Sequence, residues 1–178
     1  MSTAPSTALP LATPRWLPSR RLTNLLGFLA CAALLGFGYY LQFGLHLEPC
    51  PLCILQRVAI FSTGIVFLLA AGHHPVGGGA RVYAVLLAMT AGIGAAVAAR
   101  HVWLQYFMPE ANKLACGMDL ASMLEVLSPW ETLRQVLRGT GDCTQINWSF
   151  LGLSIPAWAL IWLVFLGGVG VKRNWTRA

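Results

Sequence analysis

An all-α membrane protein, built as a bundle of four transmembrane helices, is the fold class that this sequence predicts, and three observations predict it. Of 178 residues, 57% are hydrophobic and 10% charged, with a mean hydropathy of +0.65, whereas soluble domains carry roughly 25% charged residues to cover their surface. Four apolar segments approach the length of about 20 residues that crosses a bilayer. The basic and acidic residues fall in different connections between those segments. At this length the chain is one domain, and collagen, coiled coil and general disorder are excluded.

The first span, 22–47, follows Arg20-Arg21 and meets no charge before Glu48. It is too long for a cleaved signal peptide and reads as an uncleaved anchor. The second, 54–71, is apolar apart from Gln56 and Arg57, and His73-His74-Pro75 with Gly77-Gly78-Gly79 ends it. The third, 82–99, is uncharged and rich in small residues that permit close helix packing. The fourth, 156–171, ends at Lys172-Arg173, with Trp158, Trp162 and Trp175 suited to the membrane boundaries.

Residues 1–21, rich in Ser, Thr, Ala and Pro, read as a disordered tail, 22–171 as the transmembrane domain and 172–178 as a basic tail. Arg15, Arg20, Arg21, Arg81, Lys172, Arg173 and Arg177 place both termini and the middle connection in the cytoplasm by the positive-inside rule. The other two connections, one short and one long, then face outward. Membrane topology accounts for the net charge of +6. No basic patch interleaved with aromatics points to nucleic acid.

This orientation puts Cys50, Cys53, Cys116 and Cys143 on the oxidising side, where disulfides persist. Four cysteines allow three pairings, among which the sequence does not choose; the two within-loop pairs, Cys50–Cys53 and Cys116–Cys143, are the most economical of them. As a staple, Cys50-Pro51-Leu52-Cys53 closes too short a loop to stabilise much. Cys-x-x-Cys is the spacing of redox-active pairs, and Cys53, at the start of the second span, has its thiolate favoured by the helix dipole. A four-cysteine zinc site is disfavoured, because Cys116 and Cys143 form no second Cys-x-x-Cys and no outer histidine cluster accompanies them; no metal is expected. Cys31, inside the first span, reads as a small buried apolar residue.

Arg57 stands four residues after Cys53, on the same helix face and about 6 Å along the axis. An intramembrane arginine marks a functional site unless it snorkels to the headgroups. The third span ends near Arg100-His101, so Arg57 and His101 are expected at similar depth beside the Cys53 thiol, able to bind a carbonyl of a lipid-soluble acceptor, although the residues alone fit His101 equally well as an interfacial histidine. In the long outer loop, Asp119 can cap a helix with Leu120, Met123, Leu124 and Leu127 on one face. Ser128-Pro129-Trp130-Glu131 resembles a capping box opening a second, with Leu133, Val136 and Leu137 opposite Arg134 and Arg138. Either a membrane-surface position or packing on the bundle suits such a helix.

These residues resemble a known family. Cys50-Pro51-Leu52-Cys53-Ile54-Leu55-Gln56-Arg57, His101-Val102-Trp103-Leu104-Gln105, Cys116, Gly141-Asp142-Cys143, and Trp148-Ser149-Phe150-Leu151-Gly152-Leu153 with Pro156 and Trp158, set among four spans, are similar to the disulfide bond formation protein B family of bacterial inner membranes. The resemblance covers about 22–171. It implies an inner-membrane thiol:quinone oxidoreductase that uses ubiquinone or menaquinone, delivers electrons to the respiratory chain and regenerates a periplasmic thioredoxin-fold dithiol oxidant. It further implies that the reduced partner attacks Cys116, that Cys143 is its loop mate and then attacks Cys50, that Cys53 is freed beside the quinone, and that Arg57 and His101 bind the quinone head. The alternatives are a related oxidoreductase with a dedicated partner, and a non-enzymatic membrane protein with two structural disulfides.

Overall fold

The computed structural model describes residues 19–107, 120–139, 141–144, 146 and 148–175. Four helices in it are long and apolar enough to cross a membrane: α1 (Arg20–Gly44), α2 (Pro51–His73), α3 (Gly78–Phe107) and α6 (Ile155–Trp175). Between α3 and α6 lie α4 (Leu120–Val126), α5 (Pro129–Arg138), a 3-10 turn (Gly141–Thr144) and a hairpin of β1 (Ser149–Phe150) and β2 (Leu153–Ser154). The protein is thus an all-α four-span membrane bundle, as composition and span length require.

Each span begins and ends for a local reason. Ser19 caps α1, its hydroxyl accepting from the Leu22 amide, so Arg20 and Arg21 form the first helical turn rather than the end of a tail. Residues 1–18, most of the expected tail, lie outside the described residues. α2 opens at Pro51, earlier than the expected residue 54, because Cys50 caps it and proline presets the first helical φ. It closes at His74, which is left-handed at φ 45°. α3 runs to Phe107, eight residues beyond the expected 99. Nothing between Ala95 and Met108 breaks a helix, and Pro109 is the first residue that disfavours helix before it. At the other end of the chain Lys172–Trp175 continue α6, so only 176–178, outside the described residues, remain of the expected basic tail.

The buried residues of α3 show how the bundle packs. Ala80, Ala84, Leu87, Ala91, Gly94 and Ala98 recur at helical spacing, and the same stripe runs on into His101, Leu104 and Gln105. The small side chains admit neighbours closely, since a Cβ on Gly94 would stand 2.7 Å from that of Ala59. Phe67, 1% exposed, fills the centre with Leu87, Leu163 and Leu166, and Cys31 packs among them as the apolar residue expected. One end of the bundle is tied by polar bonds. Asn24 and Asn174, both fully buried, exchange carboxamide hydrogen bonds between α1 and α6, and Arg20 donates to the Pro75 carbonyl in the α2–α3 turn.

At the other end a second core joins Leu52 of α2, Leu104 of α3, Met123 of α4, Val136 of α5 and Cys143. The capping box of α5 forms as expected, Ser128 and Glu131 each bonding the other's backbone amide, with Pro129 at the first helical position. The expected Asp119 cap of α4 lies outside the described residues. α5 packs on the bundle through Thr132 and Val136, while Trp130, Leu133 and Leu137 remain exposed on the adjoining face. Gly139, at φ 89°, ends α5 with its Cα against the Leu104 side chain, where any Cβ would collide.

Candidate functional site

The cysteine end of α2 is shaped by its capping. Cys50 adopts an extended backbone at the cap and its sulfur accepts from the Cys53 amide at 3.4 Å. This local turn brings the Cys50 and Cys53 sulfurs to 3.1 Å.

His101 lies in the third helix, 2% exposed, not at its frayed end. Its neighbours are not those expected. Cys50, at 3.7 Å from Nε2, is the sulfur beside it, rather than Cys53. The reason is register: continuation of the α3 stripe turns His101 inward, toward the cap of α2 rather than its first turn. The Nε2 nitrogen also lies 3.0 Å from the Cys143 carbonyl oxygen, and Nδ1 lies 3.1 Å from Gln56 Nε2. A carbonyl only accepts, so Nε2–H donates to Cys143 and Nδ1 accepts from the Gln56 amide. One imidazole thereby holds the segment carrying Cys143 against the cap carrying Cys50. Reactive atoms of Cys50, His101 and Cys143 all fall within 4.8 Å of one another.

Arg57 leans the other way, toward α1. It donates to the Gln42 side-chain oxygen and, at 3.0 Å, to the Gly38 carbonyl, and its guanidinium lies 5.1 Å from the centre of the Tyr39 ring. These partners are neutral, and the guanidinium they hold borders a cavity of about 540 Å3. Phe37, Leu41, Trp148 and Trp162 form apolar walls, and Cys50, Cys53, Arg57 and His101 all border the same space. A largely apolar cleft of this size with a few convergent polar groups is the usual form of a small-molecule site.

Of the expected site residues, the fold therefore brings together Cys50, Cys53, Arg57, His101 and Cys143, while Cys116 lies outside the described residues. Several contributors were given no role in the sequence reading. Gln56 sets the His101 ring, Gln42 holds Arg57, and Arg100 donates to the carbonyls of Leu137 and Arg138 while stacking on Trp103 at 4.6 Å. Arg100 thus caps α5 and anchors the loop that delivers Cys143. The β hairpin, with Leu151 at φ 51° and Gly152 at φ 77°, is a two-residue turn of the kind that favours glycine. It is pinned by Ser154 donating to Gln105 at 2.6 Å and by the Trp158 indole donating to the Phe150 carbonyl. Gly152 was its one visible mark.

Comparison with known proteins agrees with this geometry. The family model described as "Disulfide bond formation protein DsbB" matches residues 20–172. A disulfide bond formation protein B from Xanthomonas campestris pv. campestris (strain 8004) is 51% identical over 147 residues, covering 82% of this chain and 85% of its own. Its namesake from Xanthomonas axonopodis pv. citri is 50% identical over 167 residues, covering 90% and 95%. That from Methylococcus capsulatus is 48% identical over 159 residues, covering 89% and 96%. With four membrane-length helices and a thiol cluster at one end of the bundle, this chain belongs to the disulfide bond formation protein DsbB family.

Proposed function

We propose that the protein is a thiol:quinone oxidoreductase of a bacterial inner membrane, with both termini cytoplasmic, that reoxidises a periplasmic thioredoxin-fold dithiol oxidant and so sustains disulfide formation in exported proteins. The observation that carries this reading is the apolar cavity bordered by Cys53 and Arg57 next to a Cys50 sulfur that also faces Cys143. The relatives' name supports it, as does the exclusion of water that an apolar cavity gives to a reactive thiolate.

Exchange runs through thiolate attack on a disulfide sulfur. A thiolate of the reduced partner attacks Cys116 in a Cys116–Cys143 disulfide, forming a mixed disulfide and releasing Cys143. His101 holds the Cys143 backbone beside Cys50, so Cys143 next attacks Cys50 of a Cys50–Cys53 disulfide and releases Cys53. The partner's second thiolate then closes its own disulfide and releases Cys116, which attacks Cys143 of the Cys143–Cys50 bond, restoring Cys116–Cys143 and leaving Cys50 and Cys53 as two thiols that carry the two electrons and two protons taken from the partner. A quinone, when bound in the cavity, would supply the acceptor for those electrons and protons. The residues present fit such a group: apolar walls for a prenylated ring and Arg57 on the border for its oxygens, while both ring nitrogens of His101, expected to share that task, are taken by Cys143 and Gln56. Gln42 and Gly38 fix the guanidinium in place before the acceptor arrives.

The test is reduction of a soluble ubiquinone analogue by the detergent-purified protein supplied with a reduced thioredoxin-fold partner. Turnover by the wild type and its complete loss in Cys50→Ser are expected. Failure of the wild type with ubiquinone and menaquinone analogues and with alternative thiol donors would return the cysteines to structural disulfides.

A further inference from the structure

We infer that the reduced protein carries a redox-gated binding site for a thiophilic divalent cation, of the zinc and cadmium class, formed by Cys50, His101 and Cys143. The outer histidine that a zinc reading lacked in the sequence is delivered by α3. In a tetrahedral site with metal–sulfur bonds near 2.3 Å and metal–nitrogen bonds near 2.0 Å, adjacent donor atoms stand about 3.6–3.8 Å apart. Cys50 Sγ and His101 Nε2 already stand at 3.7 Å, and all three donor atoms lie within 4.8 Å of one another. Contraction of about an ångström closes the set, and Cys143 sits in a loop-borne 3-10 turn, not a span.

The surroundings provide what such a site needs. His101 and Cys143 are buried, at 2% and 1% exposure, so ligand exchange with water is restricted. Metal-bound histidine normally donates its other ring N–H to an oxygen, and the Gln56 carboxamide lies 3.1 Å from Nδ1. Rotating that carboxamide by half a turn presents its oxygen to Nδ1–H, and the Nε2 lone pair then goes to the cation in place of the hydrogen bond to the Cys143 carbonyl. A glutamine thus serves both ring tautomers, which a carboxylate or an amine would not. Two sulfurs and one imidazole leave a fourth position open, a donor set that selects soft and borderline ions over magnesium or calcium.

Binding replaces two S–H bonds by two metal–thiolate bonds and releases two protons, with no change of oxidation state. A sulfur in a disulfide offers no thiolate, so the oxidised chain has no such site and only the chain with both Cys50 and Cys143 reduced captures the ion. Capture ties up both sulfurs that exchange electrons. The cation therefore locks the protein in its reduced form, a consequence that rests on the oxidoreductase reading, whereas binding itself does not.

The experiment titrates Cd2+ into the full-length, dithiothreitol-reduced protein after removal of reductant and quinone, following sulfur-to-cadmium absorption in the ultraviolet and proton release. One ion per chain is expected, displaced by Zn2+. Binding is expected to vanish in Cys143→Ser, weaken about tenfold or more in His101→Ala, persist in Cys116→Ser and in Cys31→Ser, and be absent from the oxidised protein. No binding by the reduced wild type, or binding that survives both Cys143→Ser and His101→Ala, overturns the site, the latter by assigning the ion to Cys50 and Cys53 alone. Circular dichroism of each variant establishes that it is folded. Because neither quinone nor partner is present, failure here leaves the oxidoreductase reading standing, and failure of quinone turnover leaves this site standing.

Discussion

Polar side chains enter the apolar helices at both ends of the bundle, and they do different things there. At the end that carries the chain termini, Asn24 and Asn174 bond each other, and Asn174 also donates to the Gly170 carbonyl within its own helix. Beside them Phe67 is pressed between Gly27 and Gly170. Among the described residues the asparagine pair bonds only itself and its own helix. At the cysteine end, Gln42, Gln56 and Gln105 each bond a residue on another element, namely Arg57, His101 and Ser154, and the residues so held border a cavity and two sulfurs. An intramembrane polar residue is costly in either place. Pairing that ends on itself makes a fastener, and pairing that holds a third group against a cavity makes a site.

The contrast can be broken most sharply at Arg57. Removing a charge-assisted hydrogen bond to a bound oxygen costs about 1.5–3 kcal/mol, so Arg57→Ala is expected to raise the apparent quinone KM by at least about tenfold, while thermal unfolding in detergent moves little. A titration with a ubiquinone analogue reads this. An unchanged KM would take Arg57 out of the quinone site and leave it as a membrane-anchoring residue.

Gly170→Ala exchanges the two effects. The added Cβ would stand 2.8 Å from both the Phe67 ring and Leu87, and overpacking of this kind costs about 1–3 kcal/mol. A lower midpoint of thermal unfolding is expected, with the quinone KM of the folded fraction unchanged. A shifted KM with unaltered stability would show that the two ends are coupled rather than separate.

How far each end was legible follows from the kind of signal it carries. Spans are local and periodic, so Leu22, Val82 and Pro156 were placed near their helix starts from hydropathy alone, and Ser128 to Glu131 announced α5 by its capping pattern. Helix ends set by a single capping residue were harder: Cys50 as cap moved the start of α2, and the absence of any breaker before Pro109 carried α3 past His101. That one register changed the chemistry, since His101 met Cys50 and Cys143 instead of Cys53. Gln42, Gln56, Arg100 and Ser154 act through contacts between elements far apart in the chain, which no spacing along one helix reveals. Cysteine identity and spacing, by contrast, pointed directly to residues that the fold brings together, since Cys50, Cys53 and Cys143 meet at one end of the bundle.

The smallest expected effect belongs to the asparagine pair, and it tests the idea of a fastener most directly. Asn174→Ala leaves the Asn24 carboxamide buried at 0% exposure without its partner, but hydrogen bonds between membrane helices average only about 0.6 kcal/mol, because the unfolded state in the membrane finds partners too. A loss of about 1 kcal/mol in stability is expected, with turnover per folded molecule untouched. Replacing both residues by alanine should cost less than the sum of the single changes, since the second removal takes away the group that the first left unsatisfied. Strict additivity in that double-mutant cycle would mean that the pair is not coupled and that Phe67 and its glycines hold the terminal end without it. Sub-additivity with an unchanged quinone KM would place this polar pair wholly on the side of architecture, where the closed geometry of its hydrogen bonds already puts it.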